Sequence, residues 1–248
     1  MKIATILPIA YLELEKDNDY HLCLAHLLKD RTYHKFFKSQ AKSGKYLIMD
    51  NGVVETGLPM DIEKLFHLAQ SVKASEMILP DLLFKTKSTL EMGLSALEYA
   101  RGHVEGDLNF MAVPQGETKE EWAKCVREMI HWPVKCIGIS RFVVPKLFQS
   151  RTEALRSVPE LIASHKEIHL LGCPDDPREI AEANSAFPQR IRGTDSGVAS
   201  IMAQEGIRMG TLPKPKVELG FYNEEMDLDI LKYNIAQWKL RSQMGVLS

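Results

Sequence analysis

The chain is poor in cysteine, has no excess of one charge sign and carries no long apolar run. Each lack removes a class of protein. Its four cysteines, Cys23, Cys125, Cys136 and Cys173, stand far apart in 248 residues with no CxxC pair. That spacing argues against a disulfide scaffold and against a zinc ribbon, and it points to a reducing, cytosolic compartment. No stretch approaches the roughly 18 uninterrupted apolar residues of a membrane span. The apolar run within residues 1–10 is too short for a secretory signal. A formal net charge of −2 predicts no strong non-specific hold on nucleic acid, while a local basic face stays compatible with it. No GxGxxG or P-loop sequence opens a helix, which removes the common phosphate cradles. No Ser/Gly linker divides the chain, so one domain over residues 1–248 is expected.

What is present is a soluble globular pattern. Hydrophobic residues make up 45 %, enough to exclude disorder. A chain of this length buries roughly 70–75 % of its unfolded surface without staples. Short apolar runs recur at residues 3–9, 46–49, 77–79, 110–113, 136–139, 168–171, 191–192 and 217–221. Each is short enough for a buried strand. Between them the period is helical. Ile62, Leu65, Phe66 and Ala69 share one stripe of residues 61–70, and residues 87–100 and 117–130 read the same way. Thr118 followed by Glu121 resembles a capping box. Asp175, Asp176 and Pro177 suit a helix start, and residues 223–240 read as a final helix. Residues 213–216, Pro-Lys-Pro-Lys, form a stiff connector before the last strand. About eight strands alternating with helices predict an α/β (β/α)8 TIM barrel. A doubly wound open sheet is the alternative.

In such a barrel the chemistry gathers where the strands end. The residues at and after the runs are Asp50, Asn51, Gly52 and Glu55; Pro80 and Asp81; Pro114, Gln115, Gly116 and Glu117; Gly138, Ser140 and Arg141; Gly172, Cys173 and Pro174; and Gly193, Thr194, Asp195, Ser196 and Gly197. Asp50-Asn51-Gly52 is also a turn sequence, and Asp81 or Asp195 also fits a helix cap. The joint pattern is stronger than its parts, because the polar residues fall in phase with the strand ends. His21, His26 and His34 lack metal-ligand spacing, so no metal is expected. His169 lies inside an apolar run and reads as a hydrogen-bonded core histidine. Trp122, Trp132 and Trp238 read as packing residues, and Cys173 as a weak candidate nucleophile. Lys85, Lys87, Arg141, Lys146, Arg151, Arg156, Arg190, Arg192, Arg208, Lys214 and Lys216 stand near the strand ends. A basic rim around an acidic centre suits a polyanion, and an ordinary solvated surface is the other reading.

The segments Tyr46-Leu-Ile-Met-Asp-Asn-Gly-Val-Val-Glu, Ile78-Leu-Pro-Asp, Val113-Pro-Gln-Gly, Ile137-Gly-Ile, His169-Leu-Leu-Gly and Gly193-Thr-Asp-Ser occur in that order. Together they resemble the tRNA-guanine transglycosylase superfamily, and within it the short phage and bacterial branch that places a 7-deazaguanine in DNA. The resemblance implies the (β/α)8 barrel, without the cysteine-rich C-terminal zinc site of the tRNA enzymes. It implies Asp195 as the nucleophile at the anomeric carbon and Asp50 in proton transfer. It further implies Asp81, Gln115, Gly116, Gly138 and Ile139 at the base edge, with Asn51 beside them and Leu171 on the base face. Arg141, Lys146, Arg192 and Lys85 are the expected nucleic-acid contacts. Asn51 stands where the tRNA enzymes have Ser, and Val53-Val54-Glu55 where they have a Gly-aromatic-Gln run.

The resemblance thus implies a glycosyltransferase, specifically a guanine/7-deazaguanine transglycosylase. It would replace guanine in DNA with a preQ0-type base through a covalent aspartyl–sugar intermediate. No cofactor is required. The expected partners are duplex or single-stranded DNA and a free 7-deazaguanine base, with tRNA second, no membrane, and room for a helper protein or a homodimer. The location implied is cytoplasmic, in the host if the chain is phage-encoded. The alternatives are a tRNA-type transglycosylase acting on RNA, a nucleoside or sugar hydrolase on the same barrel, and a non-catalytic accessory subunit.

Overall fold

The computed structural model describes residues 1–103, 106–173, 177–222 and 225–243. Eight strands form one all-parallel, nearly closed barrel: β1 (Lys2–Thr5), β2 (Tyr20–Leu24), β3 (Tyr46–Asp50), β4 (Glu76–Ile78), β5 (Asn109–Ala112), β6 (Cys136–Ser140), β7 (Glu167–Leu171) and β8 (Ile191–Ser196). Their hydrogen-bonded order is β1-β8-β7-β6-β5-β4-β3-β2. This is the (β/α)8 architecture that the alternation predicts. The seam lies between β1 and β2. There the Asn18 amide donates to the Ile3 carbonyl and to the Tyr20 carbonyl, each at 2.9 Å, and so bridges the two strands. No described helix is long and apolar enough to cross a membrane.

The outer helices form where the sequence caps and patterns them. Asp30 accepts from the Thr32 and Tyr33 amides and starts the helix Arg31–Lys42. That helix buries Tyr33, Phe36, Phe37 and Gln40, the spacing of one face. Helices Ile62–Val72, Thr86–His103 and Lys119–Met129 occupy the three stretches expected of them. Thr118 Oγ1 caps the last of these by accepting from the Glu121 amide at 3.1 Å. Trp122, Trp132 and Trp238 are all buried, as packing residues should be.

One expected strand is replaced by another segment. Residues 217–221 are not a strand, and Tyr20–Leu24, which no uninterrupted apolar run marks, supplies the eighth. The polar His21 and the weakly hydrophobic Cys23 interrupt its pattern, yet all five of its residues are buried. With eight places filled, residues 213–221 cross the barrel mouth instead. Pro213 and Pro215 lack the N–H groups a ladder needs. The segment is tied down by the Ile9 amide on the Phe221 carbonyl (2.9 Å) and by Gln204, which bonds Glu218 and Gly220. The final helix runs Leu228–Gln243. Its Lys239 pairs with Glu15 at 2.8 Å, against the 3-10 turn Ile9–Glu15 that stands where a first barrel helix would be. The acids Asp175 and Asp176, Pro174 and the expected helix start at residue 223 lie outside the described residues.

Candidate active site

A cavity of about 620 Å³ opens at the C-terminal ends of the strands. That volume is in the range of small-ligand sites. Asp50, Asn51, Asp81, Gln115, Leu171 and Asp195 all line it, together with Arg141. Residues from six strand ends therefore meet, as the phase of the polar residues predicts.

Asp195 sits on β8 and is 5 % exposed. Its Oδ1 is held twice, by His169 Nε2 at 2.9 Å and by the Gly172 amide at 3.2 Å. Among the described residues no hydrogen bond reaches Oδ2. Gly172 can donate in this way because it is left-handed, at φ +69°. A side chain there would also collide with the Cδ of Arg141. Arg151 holds the same corner. Fully buried, it pairs with Glu179 at 2.7 Å and donates to the Leu171 and Gly172 carbonyls at 3.1 and 3.0 Å.

Asp50 ends β3, and its Oδ2 accepts from the Gly52 amide at 2.8 Å. Burial pushes its carboxyl well above the usual carboxylate range; the negative charges of Glu55, Asp195 and Asp81 push the same way, and the Gly52 hydrogen bond opposes them. A carboxyl whose proton is held more tightly than usual suits proton transfer, and Asp195, held through one oxygen, suits attack through the other.

Asp81 is 2 % exposed and clamped by two amides. Asn51 Nδ2 donates to its Oδ1 at 2.6 Å and Gln115 Nε2 to its Oδ2 at 2.5 Å. Both amides are themselves oriented, because Asn51 Oδ1 accepts from the Val53 amide and Gln115 Oε1 from the Phe84 amide. Gln115 thus lines the cavity as expected, with one amide N–H committed to Asp81, as is one of Asn51. Burial raises the Asp81 carboxyl to about 6, with the two amide donors working against the rise.

Other expected contacts are placed differently. Leu171 lies across Gly138, where a Cβ would meet Leu171 Cδ1 at 2.7 Å. Gly138 thus acts by leaving room for the cavity floor. Ile139 is fully buried and, by strand alternation from Gly138, faces the helical layer. Gly116 backs onto the helix Lys119–Met129, since its Cβ would fall 2.5 Å from the Trp122 amide nitrogen. Neither Ile139 nor Gly116 lines the cavity.

The basic rim is also redrawn. Arg192 is no rim residue: it points into the lower barrel, pairs with Glu76 and with Glu167 (2.9 Å), and its side chain is 8 % exposed. Arg190 donates to the Leu161, Ser164 and Lys166 carbonyls before β7, and Arg151 is the buried clamp described above. Lys85 is exposed and paired with Glu117. Lys146 is exposed and stands 4.5 Å over the Phe84 ring. Arg141 and Lys214 do line the cavity.

Sequence reasoning missed three contributors. His169 was legible as a core histidine but not as a partner of Asp195; its place two residues before Leu171, on the same face of β7, was the available signal. The residues 217–221 reach the cavity as a strap, and nothing local in them announces it. Gly172 was visible only as a strand-end glycine. Cys173, the weak candidate nucleophile, is buried and its thiol is pushed up to about 12, which removes its thiolate at neutral pH.

No protein-family model matches this chain, and no curated protein matches it either.

Proposed function

We propose that the protein is a base-exchange transglycosylase that replaces guanine in DNA with a 7-deazaguanine. The observation that carries this reading is the pairing in one cavity of Asp195, pinned through a single oxygen, with Asp50, whose carboxyl burial pushes upward. Asp195 Oδ2 attacks C1′ of the nucleotide. The C1′–N9 bond breaks, and the Asp50 proton passes to the departing guanine. The sugar is now an ester of Asp195. The incoming base gives its ring N–H proton to the Asp50 carboxylate, and its nitrogen displaces Asp195. Two inversions restore the starting configuration, and Asp50 ends protonated as it began.

Asp81 supports selection of the base. A buried carboxylate accepts from the N1–H and 2-amino group of a guanine-like edge. Its neighbours Asn51 and Gln115 keep both oxygens aligned for that contact. A base lacking those donors leaves the carboxylate unpaired, which is a strong basis for rejection. Leu171 offers the apolar floor.

The direct test is nucleoside mass spectrometry after incubation with a 7-deazaguanine base and duplex DNA, single-stranded DNA or tRNA. A 7-deaza-2′-deoxyguanosine from the DNA arms is the expected result. A modified ribonucleoside from tRNA would replace DNA with RNA as the polymer. Free guanine without replacement would make the protein a hydrolase.

A pH series tests Asp81. Base recognition needs its carboxylate, and its folded-state pKa of about 6 lies above the ordinary 3.8. Protonation therefore favours the folded state, so as pH falls from about 6 toward 4 this group adds stability while losing its ability to accept. The KM for the incoming base should rise about tenfold per pH unit below 6, as for any single titration. Asp81→Asn should raise KM at neutral pH and flatten that dependence. An unchanged base preference in Asp81→Asn would remove Asp81 from selection.

A further inference from the structure

One side of the barrel interior carries a chain of hydrogen bonds that the proposed reaction does not by itself require. It runs Glu76–Arg192–Tyr20–His169–Asp195, from the lower layer of the barrel to its mouth. Arg192 Nε donates to the Tyr20 hydroxyl at 3.0 Å. The Tyr20 hydroxyl lies 2.8 Å from His169 Nδ1, and His169 Nε2 lies 2.9 Å from Asp195 Oδ1. Tyr20 is 1 % exposed and His169 fully buried.

The proton positions follow from the donor inventory. A guanidinium only donates. Tyr20 oxygen therefore accepts from Arg192, and its own proton is left for His169 Nδ1. His169 Nδ1 is then the acceptor, and the ring proton must sit on Nε2, facing Asp195. The opposite tautomer would set Nδ1–H against the Tyr20 proton and a bare lone pair against a carboxylate. Burial also holds His169 below its ordinary pKa, which keeps the ring neutral.

We propose that His169, fixed by Tyr20 and Arg192 as the Nε2–H tautomer, is the positioning residue that holds Asp195 Oδ1 and leaves Oδ2 as the oxygen that reacts. This rests on the reading of Asp195 as the nucleophile. A neutral donor is well suited here, because it orients the carboxylate without the full charge that would blunt its nucleophilicity. The Gly172 amide bonds the same oxygen, so among the described residues both restraints act on one atom and none on the other.

The experiment combines a spectrum with kinetics on the full-length protein. Long-range ¹H–¹⁵N imidazole spectra at pH 7, with His169 assigned by its loss in His169→Gln, should show the Nε2–H tautomer. Tyr20→Phe should weaken that preference, leaving Asp195 alone to hold it. In the exchange assay His169→Ala should lower kcat roughly 10²-fold, the scale of a 1 Å misplacement, with the KM for base held. His169→Gln, whose amide reaches as far as Nε2, should keep at least about tenfold more kcat than His169→Ala. His169→Asn, too short to reach Asp195, should not. A merely structural histidine would give no such ordering. An Nδ1–H tautomer in the unmodified protein, or a kcat in His169→Ala equal to that of the unmodified protein, overturns the proposal. If the unmodified protein exchanges no base on any polymer, the transglycosylase reading fails, and the tautomer spectrum still decides the hydrogen-bond chain.

Discussion

Asp195→Asn should abolish base exchange while leaving the barrel intact. The substitution keeps the shape of the side chain and one carbonyl oxygen. That oxygen can still accept from His169 Nε2 and the Gly172 amide, so the two hydrogen bonds at 2.9 and 3.2 Å survive. What is lost is the second oxygen's charge, and an amide does not displace a base from an anomeric carbon. Turnover should fall roughly 10⁴-fold or more, the scale on which single losses from a catalytic unit are felt. The thermal midpoint should stay close to that of the unmodified protein. Acid-quenched DNA should carry covalently bound protein with the unmodified chain and none with Asp195→Asn. Near-normal turnover in Asp195→Asn would move the nucleophile elsewhere and leave the cavity without its proposed chemistry.

Arg192→Met should produce the largest loss of stability among the side chains of the barrel interior. Arg192 bridges Glu76 and Glu167 and donates to the hydroxyls of Tyr20 and Tyr46. Glu76 is fully buried, so removing its partner leaves a carboxylate with neither water nor a cation. Breaking a buried pair in this way costs about 3–5 kcal/mol. For a chain of this length that corresponds to a fall of about 6–20 °C in the thermal midpoint. The double variant Arg192→Met/Glu76→Met should recover much of the loss, because a buried ion pair replaced by apolar residues is often neutral. Had Arg192 been a nucleic-acid contact, as its position near a strand end suggests, Arg192→Met would leave the midpoint alone and weaken DNA binding. Calorimetry and a binding titration on the same variant separate the two. The variant also unseats Tyr20, so it should shift the His169 tautomer as Tyr20→Phe does.

These two residues show how far local pattern reaches. Asp195 is readable because strand runs, helical stripes and strand-end acids recur in phase, and the barrel's geometry brings every strand end to one rim. Asp50 and Asp81 are readable for the same reason. Arg192 escapes local pattern for a specific cause. Ile168 pairs with Ile191 while His169 pairs with Gly193, so Arg192 is one extra residue in β8. A bulge of this kind re-aims a side chain, and here, at the N-terminal end of β8 and away from the mouth, it turns a cation inward. Period-two counting has no term for it. The eighth strand is misassigned on similar grounds. Residues 217–221 and Tyr20–Leu24 compete for one place in a closed ring, and hydrophobicity alone favours the wrong one. The ring itself chooses, since Tyr20–Leu24 pairs with β3 along its whole length.

The sequence by itself therefore determined the class of fold, the helices Ile62–Val72, Thr86–His103 and Lys119–Met129, and the three aspartates that meet at the mouth. All of these depend on residues close in the chain, where side-chain period and strand ends are local properties. Only the tertiary structure decided that Asn51 and Gln115 clamp Asp81, that Arg151 and Arg192 are buried ion-pair partners, and that His169 holds Asp195. Those contacts join residues 26 to 116 positions apart. They exist because closing the barrel removes water from its interior, and each buried polar group must then find its partner across the ring.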